Sequence, residues 1–188
     1  MSHYCDLAPA HPFHGPYHDH EYGFPVDDDD TLFERLVLEI NQAGLSWLTV
    51  LKKRAAFREA FEDFAVARVA GYGEADRERL LADAGIIRNR RKVEAVIHNA
   101  GVIQALQADH GSFRAWLEHH HPLPHADWVR LFRRTFRFTG PEIVGELLMS
   151  TGYLPGAHRD DCPVQARILA AGPAWARPGG NPGAGPAS

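Results

Sequence analysis

The stretch LEINQAGLSW, Leu38 to Trp47, holds the end of one helix, a breaker and the approach to another. Leu32, Leu36, Glu39 and Ala43 lie three and four residues apart, so in a helix they share one face. That face is apolar except for Glu39. Gly44 breaks the pattern, and a second helix is expected to start near Ser46 and run through TVLKKRAAFREAF. An unpaired buried carboxylate costs several kcal/mol or shifts its pKa. Glu39 is therefore an edge residue, a paired structural acid, or an acid kept for function. The functional reading needs a pocket. Trp47, Tyr17 and Tyr22 can supply flat walls, and an acid between aromatic faces suits a planar cation.

The same periodicity recurs along the chain. DDDDT (Asp27 to Thr31) marks a helix start, with Asp30 or Thr31 as its cap. Short helices are expected over Asp63–Val69 and Glu74–Asp83, with GII (Gly85 to Ile87) as a stop. Val93, Val96, Ile97, Ala100 and Ile103 form another helical stripe, and Phe113–His120 and Trp128–Thr135 read as two more helices. FTGP (Phe138 to Pro141) is a breaker, and Pro141 opens a helix that Gly152 stops. Residues 1–26 are rich in His, Pro and Gly without clear periodicity. No strand pattern or internal repeat is found, so the chain reads as all-α. Residues 1–170 are taken as a single domain, and 171–188, rich in Pro and Gly, as an unstructured tail.

The 188 residues carry a net charge of −4 and 12 histidines, which argues against a general polyanion binder but allows a local basic face. Cys5 and Cys162 are the only cysteines, too few for a disulfide framework. No signal-peptide pattern and no membrane-length apolar stretch is present, so a cytoplasmic, membrane-free protein is expected.

Two further groups carry chemistry. Cys5 and His18 near the start, with His158 and Cys162 in HRDDC near the end, form a possible two-Cys, two-His metal set. Their wide spacing and the many nearby histidines leave chance proximity open. LFRRTFRFTGPEIVGELLMSTG (Leu131 to Gly152) reads as helix, short loop, helix, with Arg130, Arg133, Arg134 and Arg137 beside the loop. Free N–H groups at such a helix start can hold a phosphate. An ordinary antiparallel helix pair with a solvated basic face is the commoner meaning of such a pattern. RNRRK (Arg88 to Lys92) and KKR (Lys52 to Arg54) either extend a basic surface or are solvated helix ends.

Four blocks resemble the DNA-3-methyladenine glycosylase I family of the helix-hairpin-helix superfamily. They are YHDHEYG (Tyr17 to Gly23), LEINQAGLSWLTVLKKR (Leu38 to Arg54), AGIIRNRRK (Ala84 to Lys92) and RTFRFTGP (Arg134 to Pro141). The likeness covers roughly residues 4–165 and is weakest over 105–130. It implies a helix-hairpin-helix glycosylase fold whose ends, 1–26 and 152–165, are joined by one structural Zn2+ on Cys5, His18, His158 and Cys162. It implies that Glu39, Tyr17, Tyr22 and Trp47 bind an extruded base, with Glu39 assisting electrostatically. Gly44, Leu45 and Ser46 would enter the gap in the duplex, with Leu45 as wedge, while Arg137, Thr139 and Gly140 of the hairpin would grip the phosphodiester backbone. The implied activity is hydrolysis of the N-glycosidic bond of 3-methyladenine in double-stranded alkylated DNA by a monomer, leaving an abasic site without a lyase step. A paralogue with another alkylated-base preference and an inactive zinc-stabilised DNA-binding protein are the alternatives. Leu7 stands where the family has an aromatic, Tyr22 where it has Trp and Thr135 where it has glycine, and one extra residue precedes His158.

Overall fold

The computed structural model describes residues 3–180, and those residues form helices and turns without a strand. In chain order the helices are α1 (Tyr4–Leu7), α2 (His14–His20), α3 (Asp29–Gln42), α4 (Trp47–Ala60), α5 (Val66–Ala70), α6 (Glu74–Ala82), α7 (Arg90–His110), α8 (Phe113–His120), α9 (His125–Thr135), α10 (Pro141–Ser150) and α11 (Pro163–Ala170). None of the described helices is long and apolar enough to cross a membrane.

Helix α3 is the axis of the molecule. The sequence shows one apolar face, but every residue from Leu32 to Asn41 is buried, because α4, α7, α8 and α10 pack around it. Phe33, Leu36 and Ile40 join Phe57, Phe61, Phe64, Val96 and Ile103 in one apolar core, which extends to Phe113, Trp128 and Phe132. The polar residues of α3 are carried into that interior with it.

The aspartate run does more than start a helix. Asp28, rather than Asp30 or Thr31, is the N-cap, accepting from the Thr31 N–H at 2.8 Å. Asp29 accepts from the Phe113 and Arg114 N–H groups at 2.9 and 3.1 Å, so it caps α8 from another element. Asp30 accepts from the Val66 N–H at 3.0 Å, at the start of α5. Neighbouring acids thus satisfy the free donors of three helix starts at one place.

Three segments differ from expectation. Residues 1–26, aperiodic in sequence, contain α1 and α2, helices too short to show a stripe. Pro163 opens α11, which the sequence reading passed over. Residues 171–180, expected to begin an unstructured tail, instead turn back onto the domain. Ala174 is buried, the Trp175 N–H donates to the Gly152 carbonyl at 3.3 Å, and Arg177 pairs with Glu118 at 2.8 Å. The remainder of that expected tail, 181–188, lies outside the described residues.

Candidate active site and metal centre

Glu39 projects from the last turns of α3 into a cavity of about 270 Å³. Tyr4, Tyr17, Tyr22 and Trp47 wall it, and Glu146 of α10 enters it from the hairpin. The Tyr17 and Trp47 rings meet edge-on with centroids 5.1 Å apart, and Tyr17 and Tyr22 lie 5.7 Å apart. Leu7 borders the mouth and stays 58% exposed.

Glu39 itself is only 4% exposed. Its carboxyl makes no hydrogen bond with any described residue. Burial first, and then the charge of Glu146, push it well above the ordinary carboxylate range, while Arg35 pulls the other way. The buried Tyr17 hydroxyl has no partner either, and burial keeps it protonated as a donor. Two polar groups without protein partners thus meet in a half-open aromatic pocket, which is where a ligand supplies the missing bonds.

The wall behind Tyr17 is ionic. The Arg35 guanidinium lies over its ring at 5.1 Å and donates to Glu21 at 2.9 Å. Arg54 donates to Glu21 at 2.8 and 2.7 Å and also to Glu34, which Arg58 reaches at 3.0 Å. Burial opposes ionisation of Glu21, yet Arg54 and Arg35 hold its carboxyl below the ordinary range. KKR therefore leaves only Lys52 exposed, since Arg54 is consumed in this network and Lys53 donates to the Ala84 and Gly85 carbonyls.

Glu39 and Glu146 also floor a larger groove of about 650 Å³. One side of it is Gly44, Leu45 and Ser46; the other is Gly140, Pro141 and Ile143 of the hairpin. Gly44 adopts φ +80°, a conformation side chains disfavour, and so lets the chain leave α3 sharply. Ser46 caps α4, accepting from the Thr49 N–H at 3.1 Å, and Leu45 between them is 41% exposed. Lys92, expected at a surface, is buried and donates to the Asn41 and Ala43 carbonyls at 3.0 and 2.7 Å. It closes the C-terminus of α3 immediately before this loop.

The hairpin of α9 and α10 is pinned by Asn99, which is fully buried in α7. Asn99 accepts from the Arg137 N–H at 2.8 Å and donates to the Arg137 carbonyl at 3.0 Å. The Arg137 side chain is left exposed beside Arg133 and Arg134. Arg130, by contrast, pairs with Asp127. The Thr139 hydroxyl turns inward to the Phe136 carbonyl at 3.5 Å, so that residue presents its main chain at the loop. A Cβ built on Gly140 would meet no protein atom within 4 Å, so nothing inside the chain requires glycine there.

The termini meet at the Cys/His set. Cys5, His18, His158 and Cys162 are all buried, with ligand atoms within 4.8 Å of one another. Cys5 Sγ to His158 Nδ1 is 3.7 Å, His158 Nδ1 to Cys162 Sγ 3.4 Å, and Cys162 Sγ to His18 Nε2 3.8 Å. Four thiolate and imidazole ligands in a tetrahedron around one zinc would stand about 3.4 to 3.8 Å apart. The outer ring atoms agree. His158 Nε2 faces the Tyr22 carbonyl at 2.8 Å and must carry the hydrogen there, leaving Nδ1 free to ligate. His18 Nδ1 donates to Asp19 at 2.7 Å, leaving Nε2 free. The residues fit a closed metal site with no open position. Gly23 passes it at φ +93°, where a Cβ would stand 2.8 Å from Ile168 Cδ1.

Sequence reading named Glu39, Tyr17, Tyr22, Trp47, the Gly44–Ser46 loop and the Cys/His set, and the structure gathers them into one cavity, one groove wall and one four-residue cluster that could hold a metal ion. It missed Glu146, Tyr4 and His14, which also line the cavity, together with Asn99 and the role of Lys92. Lys92 and Asn99 share the buried stripe of Val96 and Ile103, so two polar residues on an apolar stripe were the available signal. Glu146 gave none, because an acid on a helix is ordinarily solvated.

Comparison with known proteins agrees with this geometry. The methyladenine glycosylase family matches residues 8–128. DNA-3-methyladenine glycosylase 1 of Escherichia coli (strain K12) is 50% identical over 96 residues, 51% of each chain, so that alignment spans about half of the relative. DNA-3-methyladenine glycosylase of Haemophilus influenzae is 34% identical over 168 residues, 79% of this chain and 90% of that one. The structure of 3-methyladenine DNA glycosylase I from Staphylococcus aureus, solved for its recognition of 3-methyladenine, superposes with TM-score 0.76 at 32% identity, covering 85% of this chain and 95% of its own.

Proposed function

Since the chain belongs to the methyladenine glycosylase family, we propose that it excises 3-methyladenine from alkylated double-stranded DNA by hydrolysing the N-glycosidic bond. The observation that carries this reading is Glu39, a buried acid without a protein partner, in an aromatic cavity that opens into a groove between a breaker loop and a hairpin. A glycosylase must rotate its nucleotide out of the stack to reach the bond. In this reading Leu45 fills the gap, and the exposed Arg137 with the main chain of Thr139 and Gly140 holds the phosphates.

The extruded base would lie among Tyr17, Tyr22 and Trp47. The nucleoside of 3-methyladenine is cationic and the base already a good leaving group, so little acid catalysis is needed. Entry of a cation restores the ionised form that burial disfavours in Glu39. The carboxylate then accepts from the base and favours a positive lesion over neutral adenine. Tyr17, kept neutral, offers its unused hydroxyl.

The Cys5, His18, His158 and Cys162 set is read as holding one structural Zn2+. A bound zinc would tie the two ends of the chain together and take no part in the chemistry. It would also fix the pocket, because His158 holds the Tyr22 carbonyl.

The test is base release from methylated DNA, followed chromatographically. Wild type should release 3-methyladenine and leave abasic sites without strand cleavage. If it binds both metal and DNA yet releases no base, the enzymatic reading fails. Cys162→Ala should abolish metal by elemental analysis and lower the melting temperature by several degrees, with excision per folded molecule little altered. An unchanged melting temperature and no metal in wild type would remove the zinc assignment.

A further inference from the structure

We propose that Glu146 is a second specificity-determining residue of this pocket, forming with Glu39 a carboxyl pair that offers a hydrogen-bond donor and an acceptor to the edge of an extruded adenine-type base. The inference rests on the glycosylase reading above.

Glu39 and Glu146 come from different helices, α3 and α10, which pack together, and both carboxyls line the cavity and the groove. The Tyr22 hydroxyl donates to Glu146 Oε2 at 3.1 Å, and Oε1 makes no hydrogen bond with a described residue. The groups around the pair are Tyr4, Tyr17, Tyr22 and His14 in the cavity wall, Glu142 on the groove and Arg35 behind Glu39. Arg35 is already engaged by Glu21. Two carboxylates in one weakly hydrated site resist double ionisation, so the pair retains a proton. Burial raises both groups; at Glu146 the Tyr22 hydrogen bond opposes that rise and Glu142 adds to it.

A carboxylic acid O–H beside a carboxylate is a donor next to an acceptor, whereas a lone carboxylate only accepts. The N7/N6 edge of adenine presents an acceptor and a donor; the N7/O6 edge of guanine presents two acceptors. The pair is complementary to the first edge and leaves one group unmatched on the second. Which of the two acids holds the proton is a property of the pair.

The experiment measures calorimetric affinity for free 3-methyladenine and free 3-methylguanine as a function of pH, with wild type, Glu146→Ala and Glu146→Gln, and the melting temperature of each. Glu146→Ala should weaken 3-methyladenine binding about tenfold and narrow its preference over 3-methylguanine. Glu146→Gln keeps a permanent N–H donor and an acceptor for Tyr22, so it should restore the preference. Wild-type affinity should fall as rising pH strips the shared proton, and the Gln variant should lack that fall. The proposal is overturned if Glu146→Ala matches wild type in affinity and base preference. It is also overturned if Ala and Gln lower the melting temperature and both affinities in parallel, which would mark a merely structural residue. A wild type that binds neither base and releases none from DNA sinks this proposal and the glycosylase reading together. Normal wild-type release with wild-type-like Glu146 variants sinks this one alone.

Discussion

Helix α3 buries two glutamates five residues apart, Glu34 at 6% exposure and Glu39 at 4%, and they live in opposite surroundings. Glu34 is gripped by Arg54 and Arg58. Glu39 has no protein hydrogen-bond partner, a second acid nearby and a cavity in front of it. A buried charge is tolerated when paired and costly when not. The paired acid belongs to the architecture, whereas the unpaired one is maintained at the expense of stability, which is the signature of a site.

That contrast breaks most sharply at Glu39. Glu39→Gln should lower base release by roughly 10²–10³ at constant fold, the scale of losing one preorganised electrostatic contact. Its stability should move the other way. The folded-state carboxyl is raised above its ordinary value of 4.5, so the folded protein binds protons that the unfolded chain has lost. Wild-type stability from this group is therefore complete below about pH 4.5 and declines as pH rises through the folded value. The melting temperature of Glu39→Gln relative to wild type should thus climb with pH, and a pH-independent difference would contradict the unpaired state.

Glu34→Ala should do the reverse. Excision per folded molecule should persist while unfolding in urea shows a loss of about 3 kcal/mol, the low end for a broken buried pair. The low end applies because Arg54 keeps Glu21 and the Arg58 side chain is 47% exposed. An activity loss without a stability loss would erase the distinction between the two acids.

The end of α3 gives a smaller effect. Lys92→Met keeps the aliphatic volume and removes the two bonds to the Asn41 and Ala43 carbonyls. Stability should drop by about 1–2 kcal/mol, and hydrogen exchange at Leu45 and Ser46 should quicken. Unchanged exchange there would show that Gly44 and Ser46 shape the loop unaided. The smallest effect is expected at Arg137→Glu, which should weaken DNA binding and lower the salt slope by about one phosphate contact. An unaltered slope would place the grip elsewhere.

Much of this was legible beforehand because it is local. Helix starts at Asp, Ser and Pro, stops at Gly44 and Gly152, and the stripe of α7 follow from caps and periodicity over a few residues. Glu39 was identifiable as an acid needing explanation, but whether it was paired lay in contacts with other helices. KKR and RNRRK each hold one residue that no local pattern could assign, while Lys52, Arg88, Arg90 and Arg91 stay exposed. They read as basic surface or solvated helix ends, yet Arg54 and Lys92 spend their charges inside, on acids and carbonyls 20 to 51 residues away. Short α1 and α2 were invisible because a helix of four or seven residues cannot display a stripe.

By itself the sequence determined the helical class, the breaker after Glu39 and the helix start at Pro141, since each rests on propensity and spacing along the chain; the Cys/His set at the two ends it singled out only through resemblance to a family. Only the tertiary structure decided which acids are neutralised. It also brought Cys5 within reach of His158 and set Glu146 in the pocket of Glu39, 107 positions away along the chain. Desolvation and pairing depend on what surrounds a group in space, and no local pattern encodes those neighbours.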